Sequence, residues 1–346
     1  MIKDKKIEVI KDIMKEEKLD AIYVWSHQNR FWYANVHSSD GTLIIDNKDA
    51  RLFVDSRYII TAKESAKNVD VFLTNKTPIK EVVSGNEYKR IGFEADYIPY
   101  SEFIELQELF PNAQLIPLQS QTWRNVKNKD EISRIRKASQ IALTSLEEIM
   151  DEIKPGITEK EIANLLEARC KFNGADKMGF ETIVGSGPNG AKAHSVPGDK
   201  KLIEGEYVVV DFGVTFKGYM CDITRTIPVS KEVDPKMKEI ANIVRKAQQL
   251  AIAAVKPGVS GATIDAIARD YITEKGYGDK FGHGTGHGLG IDMHEFPDAS
   301  KYNKDPLEVG NVITVEPGIY IEGLGGYRIE DDILVTKDGY EILSKI

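Results

Sequence analysis

Ile153-Lys-Pro-Gly-Ile-Thr158 returns 102 positions later as Val255-Lys-Pro-Gly-Val-Ser260. At the same offset Ile162 answers to Ile264 and Gly174 to Gly276. A single Lys-Pro-Gly is an ordinary turn; two of them in register with their surroundings are an internal repeat. Upstream, Arg136-Lys-Ala138 matches Arg245-Lys-Ala247 at an offset of 109. That differs by seven residues, close to two helical turns, so one of the two helices is expected to be longer. Downstream, Tyr207-Val-Val-Val-Asp-Phe-Gly213 with Gly218 resembles Asn311-Val-Ile-Thr-Val-Glu-Pro-Gly318 with Gly323, which puts Asp211 and Glu316 on equivalent positions. Each half therefore reads as helix, Pro-Gly turn, helix, strands, with Thr158 and Ser260 as the N-caps of the second helices. The expected fold of this part is a duplicated helix–strand α+β unit.

Working outward, Asp130 to about Asp151 reads as a long helix with its apolar stripe at Ile132, Ile135, Ala138, Ile141 and Ala142. The polar stretch Thr122–Lys129 before it suits a boundary, giving domains 1–123 and 124–346. The first domain alternates patterns. Residues 3–18 read as an amphipathic helix on Ile7, Ile10, Ile13 and Met14. Short β-rich runs follow at Ala21–Trp25, Thr42–Asp46, Arg51–Val54, Asp70–Leu73, Arg90–Phe93 and Leu115–Pro117. Helical stretches lie around Tyr58–Lys67 and Tyr100–Leu109. This is an α/β domain with a mixed sheet, and no catalytic constellation falls in it.

The chemistry sits in the repeat. Val208–Asp211 and Asp222–Thr226 flank Gly213 and Gly218 and read as a hairpin that brings Asp211 and Asp222 together. The second half offers Glu316 before Gly318 and Glu330 in Arg328-Ile-Glu-Asp-Asp332. One such acid alone belongs on the solvent face of an edge strand. Two pairs repeated within apolar strands are like charges side by side, whose cost a bound cation removes. Alternation should turn one of Asp331 and Asp332 away from Glu330. It should also turn Cys221 away from Asp222, as a small core residue.

Phe281-Gly-His-Gly-Thr-Gly-His-Gly-Leu-Gly290 is the other component. Five glycines in nine positions exclude a helix. In an extended chain His283 and His287 share a face but stand roughly 13 Å apart. They cannot ligate one ion without a sharp bend, so they take different roles. No Gly-Lys-Ser/Thr or GxGxxG context supports a phosphate loop. His294, in Met293-His-Glu-Phe-Pro297, and His194, in Ala193-His-Ser-Val-Pro197, fall near the same place. Four of the six histidines thus cluster at one site, which raises the significance of each. Four carboxylates and one imidazole suit divalent ions such as Mn²⁺, Co²⁺ or Fe²⁺, and a pair of ions would activate a water for hydrolysis near neutral pH.

Bulk properties agree. The 346 residues suit two domains, and 41% apolar with 29% charged residues is a globular composition. A net charge of −8 argues against nucleic acid or an anionic membrane as partner. Two distant cysteines, Cys170 and Cys221, make no disulfide framework and suit a reducing cytoplasm. The polar N-terminus is no signal peptide, and no apolar run approaches a membrane span.

The set Asp211-Phe-Gly, Asp222-Ile-Thr-Arg-Thr226, Gly282-His-Gly-Thr-Gly-His-Gly-Leu289, His294-Glu295, Glu316-Pro-Gly-Ile319 and Arg328-Ile-Glu-Asp-Asp332 resembles the Xaa-Pro aminopeptidase/prolidase branch of the pita-bread metallopeptidases. Arg30-Phe-Trp-Tyr33, Ser39-Asp-Gly41 and Asp55-Ser-Arg-Tyr58 resemble the creatinase-type N-terminal domain, so the likeness spans the chain. It implies two divalent metal ions, Mn²⁺ or Co²⁺ first and Fe²⁺ or Zn²⁺ next. Their ligands would be Asp211, Asp222, His287, Glu316 and Glu330, with Asp222 and Glu330 bridging. Glu316 is implied as general base, His283 as a substrate contact or proton shuttle, and His294 as the stabiliser of the tetrahedral intermediate. Arg328 would organise the carboxylates and pocket, and His194 would line the opening to the proline pocket. There the chain departs from the family's Pro-His-Gly with Ala193-His194-Ser195, which bears on substrate preference. The resemblance further implies short proline-containing peptides as substrates and a homodimer. The expected activity is that of an Xaa-Pro aminopeptidase, with an Xaa-Pro dipeptidase (prolidase) as the alternative. A creatinase-like amidinohydrolase would lack the ligand set, methionine aminopeptidase would lack the first domain, and a non-catalytic peptide-binding module would show decayed ligands.

Overall fold

The computed structural model describes residues 5–75, 79–83 and 87–345, and falls into two compact units, Met1–Arg124 and Asn125–Ile346. The first unit runs α1 (Lys5–Glu16), β1 (Ala21–Val24), α2 (His27–Ala34), β2 (Thr42–Asp46), β3 (Ala50–Val54), α3 (Ile59–Ser65), β4 (Asp70–Leu73), α4 (Ile79–Val83), β5 (Arg90–Glu94), α5 (Tyr100–Leu109) and β6 (Gln114–Leu118). Of the helix expected over 3–18, residues 3 and 4 lie outside the described residues. The sheet order is β4-β3-β2-β1-β5-β6. β1 pairs antiparallel with β2 and parallel with β5, so the sheet is mixed, as its sequence implied. β1, β2 and β3 bury nearly every residue, which only a strand covered on both faces does.

The second unit carries the repeat. Its first half is α6 (Lys129–Ile149), extended by a 3₁₀ turn over Met150–Glu152, then α7 (Glu159–Phe172), β7 (Lys177–Met178), β8 (Ile183–Ser186), β9 (Tyr207–Phe212), β10 (Val214–Phe216), β11 (Tyr219–Met220) and β12 (Ile223–Pro228). Its second half is α8 (Pro235–Ala254), α9 (Gly261–Glu274), β13 (Gly286–Gly288), β14 (Glu295–Ala299), β15 (Val312–Val315), β16 (Gly318–Ile321), β17 (Gly325–Arg328), β18 (Asp331–Thr336) and β19 (Gly339–Ile342). The sheets are β12-β9-β8 and β11-β10-β7 in the first half, β14-β13-β15-β18-β19 and β16-β17 in the second. Two cores mirror this division. Ile141, Leu166, Val208 and Val210 cluster in one, and Ile240, Ile264, Val315 and Ile333 in the other. Truncating a fully buried leucine such as Leu166 to alanine removes about 2–5 kcal/mol.

The repeated residues have repeated jobs. Thr158 caps α7 by accepting the Glu161 N–H and completes a capping box with the Glu161 carboxylate; Ser260 caps α9 by accepting the Thr263 N–H. Gly156 and Gly258 both take positive φ, +99° and +86°, with open space where a Cβ would stand, so backbone conformation rather than crowding requires glycine. Each then donates its N–H at 2.9 Å, to Leu202 and Leu307 respectively. The Arg-Lys-Ala echo lies on the first helix of each half, and α6 with its 3₁₀ turn (Lys129–Glu152) is longer than α8 (Pro235–Ala254), by about one turn rather than two; Ala138 and Ala247 are both fully buried.

Candidate metal centre

β9 and β12 form the expected antiparallel pair, with Asp211 opposite Thr224 and Asp222 just ahead of β12. A Cβ on Gly213 would lie 2.1 Å from the Cys221 carbonyl oxygen, so only glycine lets the chain leave β9 this close to the returning strand. In the second half Glu316 follows β15 and Glu330 precedes β18, and Val315 pairs with Asp331. The Glu330 N–H donates to the Thr224 carbonyl at 3.2 Å, which joins the halves at the level of the acids. The Gly-rich segment is extended, as its glycines required. A Cβ on Gly286 would stand 1.9 Å from the Thr314 carbonyl oxygen, so glycine brings β13 hard against β15.

The two histidines of that segment part company. Each directs Nδ1 at the next residue's carbonyl, His283 at Gly284 (2.8 Å) and His287 at Gly288 (3.0 Å). A carbonyl only accepts, so both rings carry a proton on Nδ1 and turn Nε2 to their other neighbours. His287 Nε2 lies 3.5 Å from Asp222 Oδ2 and 3.4 Å from Glu316 Oε1. His283 Nε2 meets the Tyr320 hydroxyl at 2.9 Å instead. Arg328 Nη1 donates to that hydroxyl at 2.6 Å, so the phenol proton is the one that His283 accepts. Burial pushes the Tyr320 phenol up to about 12 and the His283 imidazole below its usual value.

Asp222, His287 and Glu330 each bring a ligand atom to a common point, within 4.8 Å of one another. Glu316 is drawn in through His287. Asp211 is drawn in through Arg328, whose Nη2 lies 2.5 Å from Asp211 Oδ2. Of the five residues that the resemblance implies as ligands, three thus share a common point, and Glu316 and Asp211 adjoin it through His287 and Arg328. Asp211 Oδ1, Asp222 Oδ1 and Glu330 Oε1 are buried with no hydrogen-bond partner. Burial pushes all three carboxyls above their usual range. Neighbouring carboxylates add to the rise, and Arg328 opposes it at Asp211 and Asp222. Orphaned anionic oxygens packed this densely are costly unless a cation meets them. Hard carboxylate oxygens beside an imidazole nitrogen therefore fit divalent metal ions.

His294 and His194 are exposed. The His294 ring centroid stands 4.3 Å from that of His287. Its partial burial, then His287, hold its imidazole below the usual value, with His194 acting in the same direction. Arg328 Nη1 also donates to the Ala193 carbonyl at 3.3 Å, tying the His194 loop to the centre. The Asp pair resolves as alternation requires. Asp331 turns to Arg225, Gln248 and Ser344, whereas Asp332 accepts from Ser139 and from the Asp222 backbone. Cys221 is buried in the core of the first half, and so is Cys170.

Two participants went unread in the sequence. Thr224 donates to Glu330 Oε2 at 2.7 Å and accepts from Arg328 Nε at 3.0 Å. Two residues after Asp222, it shares that residue's face of the chain, and alternation could have found it. Tyr320, which joins His283 to Arg328, carries no signal of its own.

Folded from duplicated halves around clustered carboxylates and imidazole, the second unit has the makings of a metal-dependent hydrolase. The sequence profile of metallopeptidase family M24 matches residues 133–337, and that of the creatinase/prolidase N-terminal domain matches residues 6–126. The chain belongs to metallopeptidase family M24. Among solved structures it is similar to an Xaa-Pro dipeptidase from Bacillus anthracis, with TM-score 0.94, 39% identity, and 99% and 97% of the two chains covered. A prolidase from Pyrococcus furiosus gives TM-score 0.89 and 36% identity, covering 97% of this chain and 99% of the other. An X-Pro aminopeptidase from Thermotoga maritima MSB8 gives 0.90 and 34%, covering 99% and 98%. No described helix is long and apolar enough to cross a membrane.

Proposed function

We propose that the protein is a dinuclear metal-dependent Xaa-Pro dipeptidase, a prolidase. The observation that carries the metal dependence is the convergence of Asp222, Glu330 and the His287 imidazole on a common point, with one oxygen of each of these carboxylates, and one of Asp211, buried without a hydrogen-bond partner. The dipeptidase reading takes precedence over the aminopeptidase first expected from the sequence, because two of the three structures named above bear dipeptidase or prolidase names. The Thermotoga structure keeps the aminopeptidase as the second reading.

Asp211, Asp222, His287, Glu316 and Glu330 would hold the ions, Mn²⁺ or Co²⁺ in the first place. Two divalent ions there supply a Lewis acid and an acidified water. Glu316 takes the proton of the attacking water. Its side chain is 17% exposed against 8% for Asp222, so it is the more open of the two to solvent and to an incoming substrate. His294 donates a hydrogen bond to the charge developing on the carbonyl oxygen. His283, held by Tyr320, contacts the substrate. Arg328 fixes Asp211 and the pocket wall, and His194 lines the opening. A proline imide has no N–H to donate, so the pocket must recognise the ring by shape. The protein would act as a cytoplasmic homodimer, its two buried thiols suiting a reducing compartment.

The test compares Xaa-Pro dipeptides with Xaa-Pro-Yaa tripeptides in Mn²⁺ or Co²⁺. Cleavage of dipeptides alone is expected, and preferential cleavage of tripeptides would install the aminopeptidase instead. Fewer than one ion per chain by metal analysis, or full activity in Glu316→Ala, overturns the dinuclear mechanism.

A further inference from the structure

Lys127 and Glu295 are 168 residues apart and form an ion pair at 3.0 Å with side chains 1% and 0% exposed. A buried pair of this kind is poor evidence of added stability, because desolvating two charges offsets most of their attraction. Its position suggests another use. β13 and β14 pair antiparallel, with Gly288 opposite Glu295, and the loop between them ends on His294. The Glu295 side chain turns back under this loop. Its Oε1 accepts the N–H groups of Ile291 and Asp292, each at 3.1 Å, while Oε2 accepts from Lys127 Nζ. The loop is fastened at its start as well, where the Gly290 carbonyl accepts the Met220 N–H at 2.9 Å, two residues before Asp222. A Cβ on Gly290 would come within 2.7 Å of Glu295 Oε2 and 3.0 Å of Lys127 Cε, so the ion pair fills the space under the loop and leaves no room for a side chain.

We propose that Lys127 and Glu295 are positioning residues that hold the 290–294 loop so that the exposed His294 imidazole stays against His287. Lys127 is the external anchor: it fixes the carboxylate, the carboxylate fixes two consecutive amides, and those amides fix the approach to His294. The inference rests on the reading that His294 serves the reacting carbonyl. Neither residue is assigned any contact with substrate or metal.

The experiment uses the full-length, metal-loaded protein with Glu295→Gln and Lys127→Met. Expected are a fall in kcat of up to about a hundredfold, the scale of a small misplacement of a catalytic group, with KM and metal content close to the parent. Lys127→Arg should restore most of kcat. In a His294→Ala background the same substitutions should cause no further loss. An equal loss in that background marks the pair as merely structural and overturns the proposal. Hydrogen exchange at the Ile291 and Asp292 amides and the NMR signals of the His294 imidazole give a readout free of activity. Faster exchange and shifted imidazole signals are expected, and unchanged values in both overturn the proposal. Should Glu295→Gln not fold, Gly290→Ala disturbs the same pair and is read in the same two ways. If the parent cleaves no Xaa-Pro substrate, or His294→Ala keeps full kcat, the functional reading fails, while exchange and imidazole signals still decide the positioning role.

Discussion

Both units bury carboxylates, and Glu94 of the first and the clustered acids of the second are treated in opposite ways. Glu94, at the end of β5 in the first unit, is 1% exposed and accepts from the Trp25 N–H, the Ser26 N–H, the Ser26 hydroxyl and the Asn29 side-chain amide, all at 2.6 Å. Both its oxygens are occupied, and its work is to pin the start of α2 to the sheet. In the second unit Asp211, Asp222 and Glu330 each leave one buried oxygen without a partner. Burial raises the carboxyl of all four residues. Perturbation therefore does not separate a structural acid from a functional one; unmet hydrogen-bonding capacity does. A structural acid finishes its bonds within the protein, and a ligand keeps one back.

The comparison is put under greatest strain by removing an unfinished acid. Asp222→Asn or Glu330→Gln is expected to lower kcat/KM on the order of 10³-fold, about 4 kcal/mol of transition-state stabilisation. The metal-free protein should at the same time become more resistant to urea, since a buried unpaired charge is gone. Metal-free variants less stable than the parent would mean that these acids are as structural as Glu94.

Glu94→Gln should behave in the reverse manner. It turns an acceptor into a donor facing buried N–H groups and should lower stability by about 2–3 kcal/mol in urea denaturation. Metal content and kcat of the folded fraction should not change. Loss of bound metal in this variant would break the distinction from the other side.

Thr224→Val probes the layer behind the ligands. It deletes the donor to Glu330 Oε2 and the acceptor of Arg328 Nε while keeping the shape. A loss of about 10–100-fold in metal affinity or activity is expected, read by metal titration and kcat/KM. A loss confined to thermal stability would reduce Thr224 to a packing residue.

How far the sequence carried the site follows from the same chemistry. The four acids were legible because charges repeated within apolar strands contradict their surroundings, and the glycines of 282–290 announced an extended segment. Thr224 and Tyr320 contradict nothing, since hydroxyls and phenols are ordinary in strands. Lys127 and Glu295 become partners only through tertiary contact. In the first unit the strands stood out as short β-rich runs between turn residues. α2 did not, because six of its eight residues are buried and it has no polar face to set a helical period. The Lys-Pro-Gly turns held their register because positive φ fixes a glycine in place.

Asp46 offers the mildest case, an acid that is finished and keeps its charge. Its Oδ2 accepts from Arg51 Nη1 at 2.8 Å and from the Tyr88 hydroxyl at 2.6 Å, and its Oδ1 accepts the N–H groups of Lys48 and Asp49. Burial raises this carboxyl, but the bonds from Tyr88, Arg51 and the backbone outweigh it and hold the value at about 2. The unfolded value is about 3.9. A folded value below the unfolded one means that the contribution is fully present above about pH 4 and is lost as pH falls through about 2. Burial, then the bond to Asp46, pushes Tyr88 up to about 12. Against an unfolded value of about 10 its contribution has the opposite sense, present below pH 10 and lost as pH rises through about 12. Asp46→Asn should thus flatten the acid limb of stability between about pH 4 and pH 2 and steepen nothing at neutral pH, as denaturant midpoints across that range would show. An acid limb as steep as the parent's would mean that four hydrogen bonds do not by themselves keep a buried carboxylate charged, and that the missing partners at Asp222 and Glu330 matter less than the crowding of negative charge around them.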